Sequence, residues 1–510
     1  MQNHVLDYLD STVKRVPDKI AFANETDALT FQQVYDQNRA LASFFINKGL
    51  YKEPVVVFMN KHPKTITAFF GVINSGNFYV PIDEEMPRVR IDLILDNLKP
   101  RAIICDAQTV EIAKDFKFDG ELYLYDELIQ TAVNEEGLTD VRAKAIDTDP
   151  IYVVFTSGST GIPKGVVACH RSVLDYIEQL SETLEFNEET VFGNQTPLYF
   201  DACLKELYPT LKFGATTYLV PKSLFMFPIK LVEFLNEHKI NTICWVVSAL
   251  TMISAFGAFK KVVPQYLHTI AFGSEVFPIK QFRIWRETLP NAKFTNLYGP
   301  TEGTGMCCYY KVNRDFELDE AIPVGRPFKN TEIILLDENN KRAADGEPGE
   351  ICIRGTSLTM GYYNNPEKTA EAFVQNPLNT AYPELIYRTG DIGKYNEYGE
   401  LVFVSRKDYQ IKHMGHRIEL GEIEAVINAI EGIDAAVCIF DTRHEKIVLC
   451  YQCSEKDVDT TAMKTLIVDR LKSKLPKFMW PNRYEYYDNL PVNKNGKIDR
   501  VVLRKTYEEV

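Results

Sequence analysis

The chain runs to 510 residues, 45% hydrophobic and 12% aromatic, too long for one core, so two or more well-packed domains are expected. Its 57 basic and 70 acidic residues give a formal charge of −13, which argues against a general nucleic-acid or anionic-membrane partner but not against a local basic pocket. Ten cysteines spread over this length make no disulfide framework.

The opening stretch MQNHVLDYLDSTVKRVPDK lacks the apolar core of a signal peptide and reads as an amphipathic helix stopped at Pro17. The least polar long stretch, 65–82, is interrupted by Asn74, Ser75, Gly76 and Asn77, so no membrane span is expected and the default location is the cytoplasm. Strand-like runs at 55–59, 101–106, 151–155 and 216–220 alternate with helical patterns such as 229–239, where Leu231, Val232, Phe234 and Leu235 share a face. The alternation predicts α/β layers with substantial parallel sheet, whose ligands sit beyond the carboxyl ends of strands.

FTSGSTGIPKG follows one of those strands directly. A Gly/Ser-rich loop is often a plain connection, but this one combines hydroxyls on Thr156, Ser157 and Thr160 with Gly158, Gly161 and Gly165 and one cation, Lys164. Glycines let backbone N–H groups approach phosphate oxygens, hydroxyls donate to them and the ammonium offsets their charge. Lys164 is preceded by Pro163 and followed by Gly165, so the loop lacks the Gly-Lys-Ser/Thr ending of P-loop phosphoryl-transfer enzymes.

NLYGPTEGTG, further on, offers Tyr298 as a ring for stacking, a tight Gly-Pro turn, the Thr301 hydroxyl and Glu302 as a hard oxygen ligand for Mg2+. From about Pro323 shorter strands and Gly-rich turns predict an antiparallel subdomain, which includes YRTGDIG and Asp391, a carboxylate suited to a ribose diol. After Asp408 the pattern reads strand, turn, helix, two strands, a helix near 461–475 and a terminal basic strand and tail, a small α+β module. Cys450 and Cys453 lie on one of those strands and would point to opposite faces, so they read as core residues rather than a zinc site, and His413 and His416 lack matching ligands.

LPVNKNGKIDR places Lys497 in a turn near the end. A carboxylate attacking the α-phosphate of ATP needs no base, because it is already ionised, but it does need positive charge and alignment. A second lysine at a nucleotide site would serve that reaction, whereas the bland reading is a solvated tail.

Taken in order, LTFQQV, FTSGSTGIPKG, NLYGPTE, GEICIRG, YRTGD, SRKDYQIKHMGHRIELGEIE and NKNGKIDR resemble the core motifs of the adenylation domains of nonribosomal peptide synthetases, part of the acyl-adenylate-forming superfamily. The resemblance covers essentially the whole chain. It implies a large N-terminal domain, 1–407, of mixed α/β sheets plus an antiparallel subdomain, and a small mobile C-terminal α+β domain, 408–510, hinged at Asp408. It implies that Thr156, Ser157, Gly158, Ser159, Thr160 and Gly161 bind the triphosphate with Lys164, and that Gly273, Ser274 and Glu275 line the adenine pocket. Asn296, Tyr298, Gly299 and Thr301 would complete the nucleotide site, with Glu302 on Mg2+ and Asp391, Phe403 and Arg406 about the ribose. Ser405 stands where the family often has Gly. Lys497 would bridge substrate and ATP in the first half-reaction, then give way to the loop around Gly415 and the phosphopantetheine arm of a carrier protein supplied in trans, the enzyme itself being a freestanding monomer.

By the same resemblance Asp201 would hold the α-amino group of an amino acid, which an aryl or fatty acid ligase would not need. The remaining pocket positions are Ala202, Lys205, Cys244, Ile270, Phe272, Leu297, Gly305 and Met306, with Phe272 and Leu297 shortening the pocket. Lys205 either pairs with a side-chain carboxylate of the substrate, making Asp or Glu candidates, or points to solvent beside a pocket for alanine. The alternatives are a D-alanine:carrier protein ligase, whose pocket-lining segment GSEVFP resembles, an acyl- or aryl-CoA synthetase, and a non-catalytic nucleotide-binding module.

Overall fold

The computed structural model describes residues 2–157, 162–318, 320–407, 410–453, 459–492 and 498–508. By the density of their contacts these fall into two compact units.

The first unit, 1–84, 98–154 and 165–407, contains three sheets. In the six-stranded sheet the spatial order is Glu121–Leu124, Ala102–Cys105, Pro54–Phe58, Phe78–Pro81, Pro150–Thr156, Lys164–Cys169. Its central pairs are parallel and Val55, Val56, Val57, Ile103 and Ile104 are at most 1% exposed, so the unbroken apolar runs reflect burial on both faces. LTFQQV starts the helix Phe31–Asn47: the Thr30 hydroxyl accepts from Gln33 N at 3.2 Å and Gln33 Oε1 accepts from Thr30 N at 2.9 Å, a capping box.

A nine-stranded sheet has at its centre the parallel strands Lys293–Tyr298, Thr269–Gly273, Thr242–Val246, Val191–Asn194 and Thr216–Leu219. Of the residues named for substrate and nucleotide, Asp201, Gly273, Ser274, Glu275, Tyr298, Gly299, Thr301 and Glu302 lie at or beyond their carboxyl ends, where ligands of such sheets bind. The antiparallel subdomain is the five-stranded sheet of Thr331–Leu336, Gly349–Gly355, Leu385–Tyr395, Phe373–Gln375 and Leu401–Arg406.

The second unit joins 408–510 to two outlying segments, 85–97 and 155–164, so it is larger than the C-terminal module alone. Its hairpin Gln410–His413 and His416–Glu419 leads into the helix Leu420–Asn428, then a sheet of Ile433–Asp441, Lys446–Cys453 and Arg483–Tyr486 with the helix Thr460–Lys474. Arg90, from the first outlying segment, forms a buried ion pair with Glu422. Cys450 and Cys453 sit in different apolar clusters, as strand alternation requires. The expected terminal tail is instead a helix, Arg500–Glu508, started by Asp499 Oδ1, which accepts from Val501 N and Val502 N at 3.1 Å, and anchored by the Arg500 ion pair with Glu424.

Candidate functional site

The residues expected to hold the acid begin in the segment that follows the strand Val191–Asn194. Asp201 opens a single 3-10 turn, Asp201–Cys203, which runs into the helix Leu204–Phe213. Lys205 and Glu206 are 4% and 0% exposed, so Lys205 does not point to solvent and that expectation is corrected. Asn194 Nδ2 donates to Glu206 Oε2 at 3.2 Å. Burial pushes the Glu206 carboxyl up to about 7, against the opposing pull of Lys205, Asn194 and Lys61. Burial, and then the neighbouring Cys244, Asp201 and Glu206, push the Tyr176 phenol well up, and a Cβ on Gly305 would meet its ring at 3.0 Å.

Strand alternation divides the remaining pocket residues. Cys244, Leu297 and Met306 share one apolar cluster with Ala271, whereas Ile270 and Phe272 lie in another, on the opposite face of the sheet. Phe272 packs edge-on against Phe277 with ring centroids 5.0 Å apart. The positions named for one pocket are therefore split between two faces of the sheet, since successive residues along a strand point to opposite sides. Ala271 lies on the face of Cys244, its partner across the strands, and of Leu297.

The nucleotide residues of this unit meet in a second buried network. Tyr298 OH donates to Asp391 Oδ2 at 2.5 Å, Arg406 pairs with Asp391 Oδ1 and also donates to Thr389 O at 3.2 Å, and Phe403 packs against the cluster holding Tyr298. Asn296 uses its amide to hold Ile322 O and Pro323 O at 3.3 and 2.9 Å. At two glycines backbone crowds backbone: a Cβ on Gly273 would lie 2.2 Å from Leu297 O, and one on Gly299 would lie 2.5 Å from Gly305 O. Ser274 follows with φ +71, a left-handed backbone that a non-glycine residue seldom adopts. Glu275 Oε2 accepts from Ser248 N at 2.8 Å, so that carboxylate caps the helix Val247–Ala255, a commitment the sequence did not reveal.

Glu302 is fully buried and its Oε1 accepts from Tyr362 OH at 2.7 Å. Among the described residues no group of three or more His, Cys, Asp or Glu side chains gathers as a metal cage. A single carboxylate fits Mg2+, which takes one or two protein ligands and fills its octahedron with phosphates and water.

In the second unit, Ser157 Oγ donates to Arg417 O at 2.8 Å, while the buried Thr156 Oγ1 has no partner among the described residues, as a hydroxyl kept for a phosphate oxygen would. Lys164 begins the strand Lys164–Cys169. Gly158, Ser159, Thr160, Gly161, the hinge Asp408 and the distal Lys497 lie outside the described residues.

The residues that sequence reasoning missed are Glu206, Tyr176, Ala271 and Lys61. For Glu206 a signal existed, a second charge beside Lys205 in the otherwise apolar LKELYPTL; for Lys61 it was only a charge placed just past a buried strand.

A family model described as AMP-binding enzyme matches residues 9–363. The chain is 32% identical to the D-alanine--D-alanyl carrier protein ligase of Bacillus licheniformis over 498 residues, covering 96% of both proteins. It is 30% identical to tyrocidine synthase 1 of Brevibacillus parabrevis over 491 residues, 96% of this chain but 43% of that protein, so it spans less than half the length of that relative. Its fold is that of the Vibrio cholerae adenylation domain AlmE, solved in complex with glycyl-adenosine-5'-phosphate, at TM-score 0.84 and 21% identity over 100% of this chain and 98% of that one. With the family match running over residues 9–363, more than half of its length, the chain belongs to the AMP-binding enzyme family.

Proposed function

We propose that this protein activates an amino acid with ATP and passes the acyl group to the phosphopantetheine thiol of a carrier protein acting in trans, as a monomer in the cytoplasm. The observation that carries the reading is Asp201, half-buried at the head of the turn that leads into the buried Lys205 and Glu206, a carboxylate for which an acid without an α-amino group has no use. In the first half-reaction a carboxylate oxygen of the substrate bonds to the α-phosphorus of ATP and the α–β phosphoanhydride bond breaks, releasing pyrophosphate. In the second, the thiol sulfur bonds to the acyl carbon, the acyl–phosphate bond breaks, AMP leaves and the thiol proton is lost.

Asp201 would orient the amino acid through its ammonium, Asp391 and Arg406 the ribose, and Tyr298 and the Gly273 corner the adenine. The 156–161 loop and Lys164 would hold the triphosphate, and Lys497 would offset charge where carboxylate and α-phosphate meet. Mg2+, bound through Glu302, would neutralise phosphate charge.

For the substrate, the burial of Lys205 supports an amino acid with a side-chain carboxylate, aspartate or glutamate. The second reading, D-alanine, is favoured by the nearly complete coverage of the D-alanine--D-alanyl carrier protein ligase. The test is to incubate the protein with ATP, Mg2+, a phosphopantetheinylated carrier and single amino acids, and to follow AMP, pyrophosphate and the mass of the carrier. A carrier heavier by one aminoacyl group is the expected result. Acylation of free CoA with no amino acid required would overturn the proposal in favour of a CoA ligase.

A further inference from the structure

Lys61 links the six-stranded and nine-stranded sheets through its side chain. It follows the strand Pro54–Phe58 of one sheet, and its ammonium reaches the carboxyl ends of two strands of the other, donating to Asn194 O and Gln195 O at 3.0 Å and to Val220 O at 3.3 Å. Three carbonyls match the three donors of an ammonium. Two of them open the segment 194–200 that delivers Asp201.

Backbone bonds also hold that segment, from Val220 N to Asn194 O at 3.0 Å and from Phe200 N to Pro197 O at 3.3 Å. The buried atoms Gln195 Oε1 and Thr196 Oγ1 have no partner among the described residues, and the Cys203 thiol makes only a 3.8 Å contact to Leu198 O. The Asn194 side chain, whose backbone carbonyl Lys61 grips, donates to Glu206, one residue beyond Lys205. Burial pulls the Lys61 ammonium down to about 7, with Glu206 the first group to oppose that shift, and Lys61 is in turn one of the cations that oppose the burial of Glu206.

We infer that Lys61 is a positioning residue for the amino-acid pocket: by tying Asn194, Gln195 and Val220 together beneath Glu206, it sets where Asp201 and Lys205 stand. The inference rests on the reading of Asp201 as the amino-group anchor. Lys61 touches no reacting atom in this account, so its loss should weaken capture of the amino acid and leave nucleotide binding alone.

The test is amino-acid-dependent exchange of labelled pyrophosphate into ATP by the full chain, with KM determined separately for amino acid and for ATP. Lys61→Met should raise the amino-acid KM about tenfold or more, a loss in keeping with one charge-assisted contact, with the ATP KM within twofold of wild type. Lys61→Arg, which can still donate to several carbonyls, should recover most of that loss, and thermal unfolding of both variants reports whether they fold. Equal rises in both KM values, an unchanged amino-acid KM, or a loss in Lys61→Met that Lys61→Arg does not relieve although both fold would overturn the inference. Absence of exchange by the wild-type protein with every amino acid would instead overturn the adenylation reading, and this inference with it.

Discussion

Replacing Arg406 by Met isolates the charge on Asp391. The two side chains are 12% and 5% exposed, and among the described residues the Asp391 carboxylate keeps the 2.5 Å hydrogen bond from Tyr298 OH once the guanidinium is gone. Removing one partner of a buried ion pair costs about 3–5 kcal/mol. The remaining tyrosine bond and slight exposure place the expected loss near the lower end, about 3 kcal/mol, or roughly a hundredfold in the folding equilibrium. Tyr298→Phe removes one hydrogen bond to a charged group and should cost about 1.5–3 kcal/mol. Because both residues serve the same carboxylate, the double variant should depart from additivity by about 1 kcal/mol. Urea unfolding followed by tryptophan fluorescence suits the purpose, since Trp245 and Trp285 are fully buried in the unit that carries Asp391. A midpoint for Arg406→Met within about 0.5 kcal/mol of wild type, at unchanged slope, would refute the idea that this pair holds Asp391 in place.

Three further outcomes follow from the pocket and its surroundings. Ala271→Val should shrink the acid pocket and shift the amino-acid profile in pyrophosphate exchange, whereas Phe272→Leu should leave the profile unchanged; the reverse pattern would overturn the assignment of faces on the strand Thr269–Gly273. Folded Glu206 titrates near 7 because burial raises it, while the unfolded chain loses that proton near 4.5, so between those values the folded form holds the extra proton and stability falls as pH rises. Glu206→Gln should remove that slope, up to about 1.4 kcal/mol per pH unit, and parallel stability profiles for variant and wild type would contradict it. Glu302→Gln keeps an acceptor for Tyr362 OH but loses the charge, so the Mg2+ concentration for half-maximal exchange should rise about tenfold; no change would remove Glu302 from the metal's surroundings.

The layers, the antiparallel subdomain and the nucleotide motifs were legible because each rests on local pattern: β-branched runs, Gly-rich turns and a capping box at Thr30. Tyr298, Asp391 and Arg406 were named from separate motifs, and their meeting in one network depends on pairing between the strands Leu385–Tyr395 and Leu401–Arg406, with Asp391 opposite Arg406. That Ile270 and Phe272 lie on the face opposite Cys244 and Leu297 was not legible, because alternation along a strand flips the face with every residue and both faces of this strand are apolar. Lys61 stayed hidden because its partners are backbone carbonyls about 130 to 160 positions away, which have no side-chain signature. The terminal helix was missed because a basic surface over nine residues masks the few apolar contacts, such as Leu503, that hold it.

The account's central claim is tested most directly by exchange of labelled pyrophosphate into ATP across L- and D-amino acids, β-alanine and a few aryl and fatty acids. The prediction is exchange that depends on an amino acid, strongest with aspartate or glutamate, and lost at ordinary substrate concentrations in Asp201→Ala. Exchange driven by aryl or fatty acids alone, and indifferent to Asp201, would contradict it.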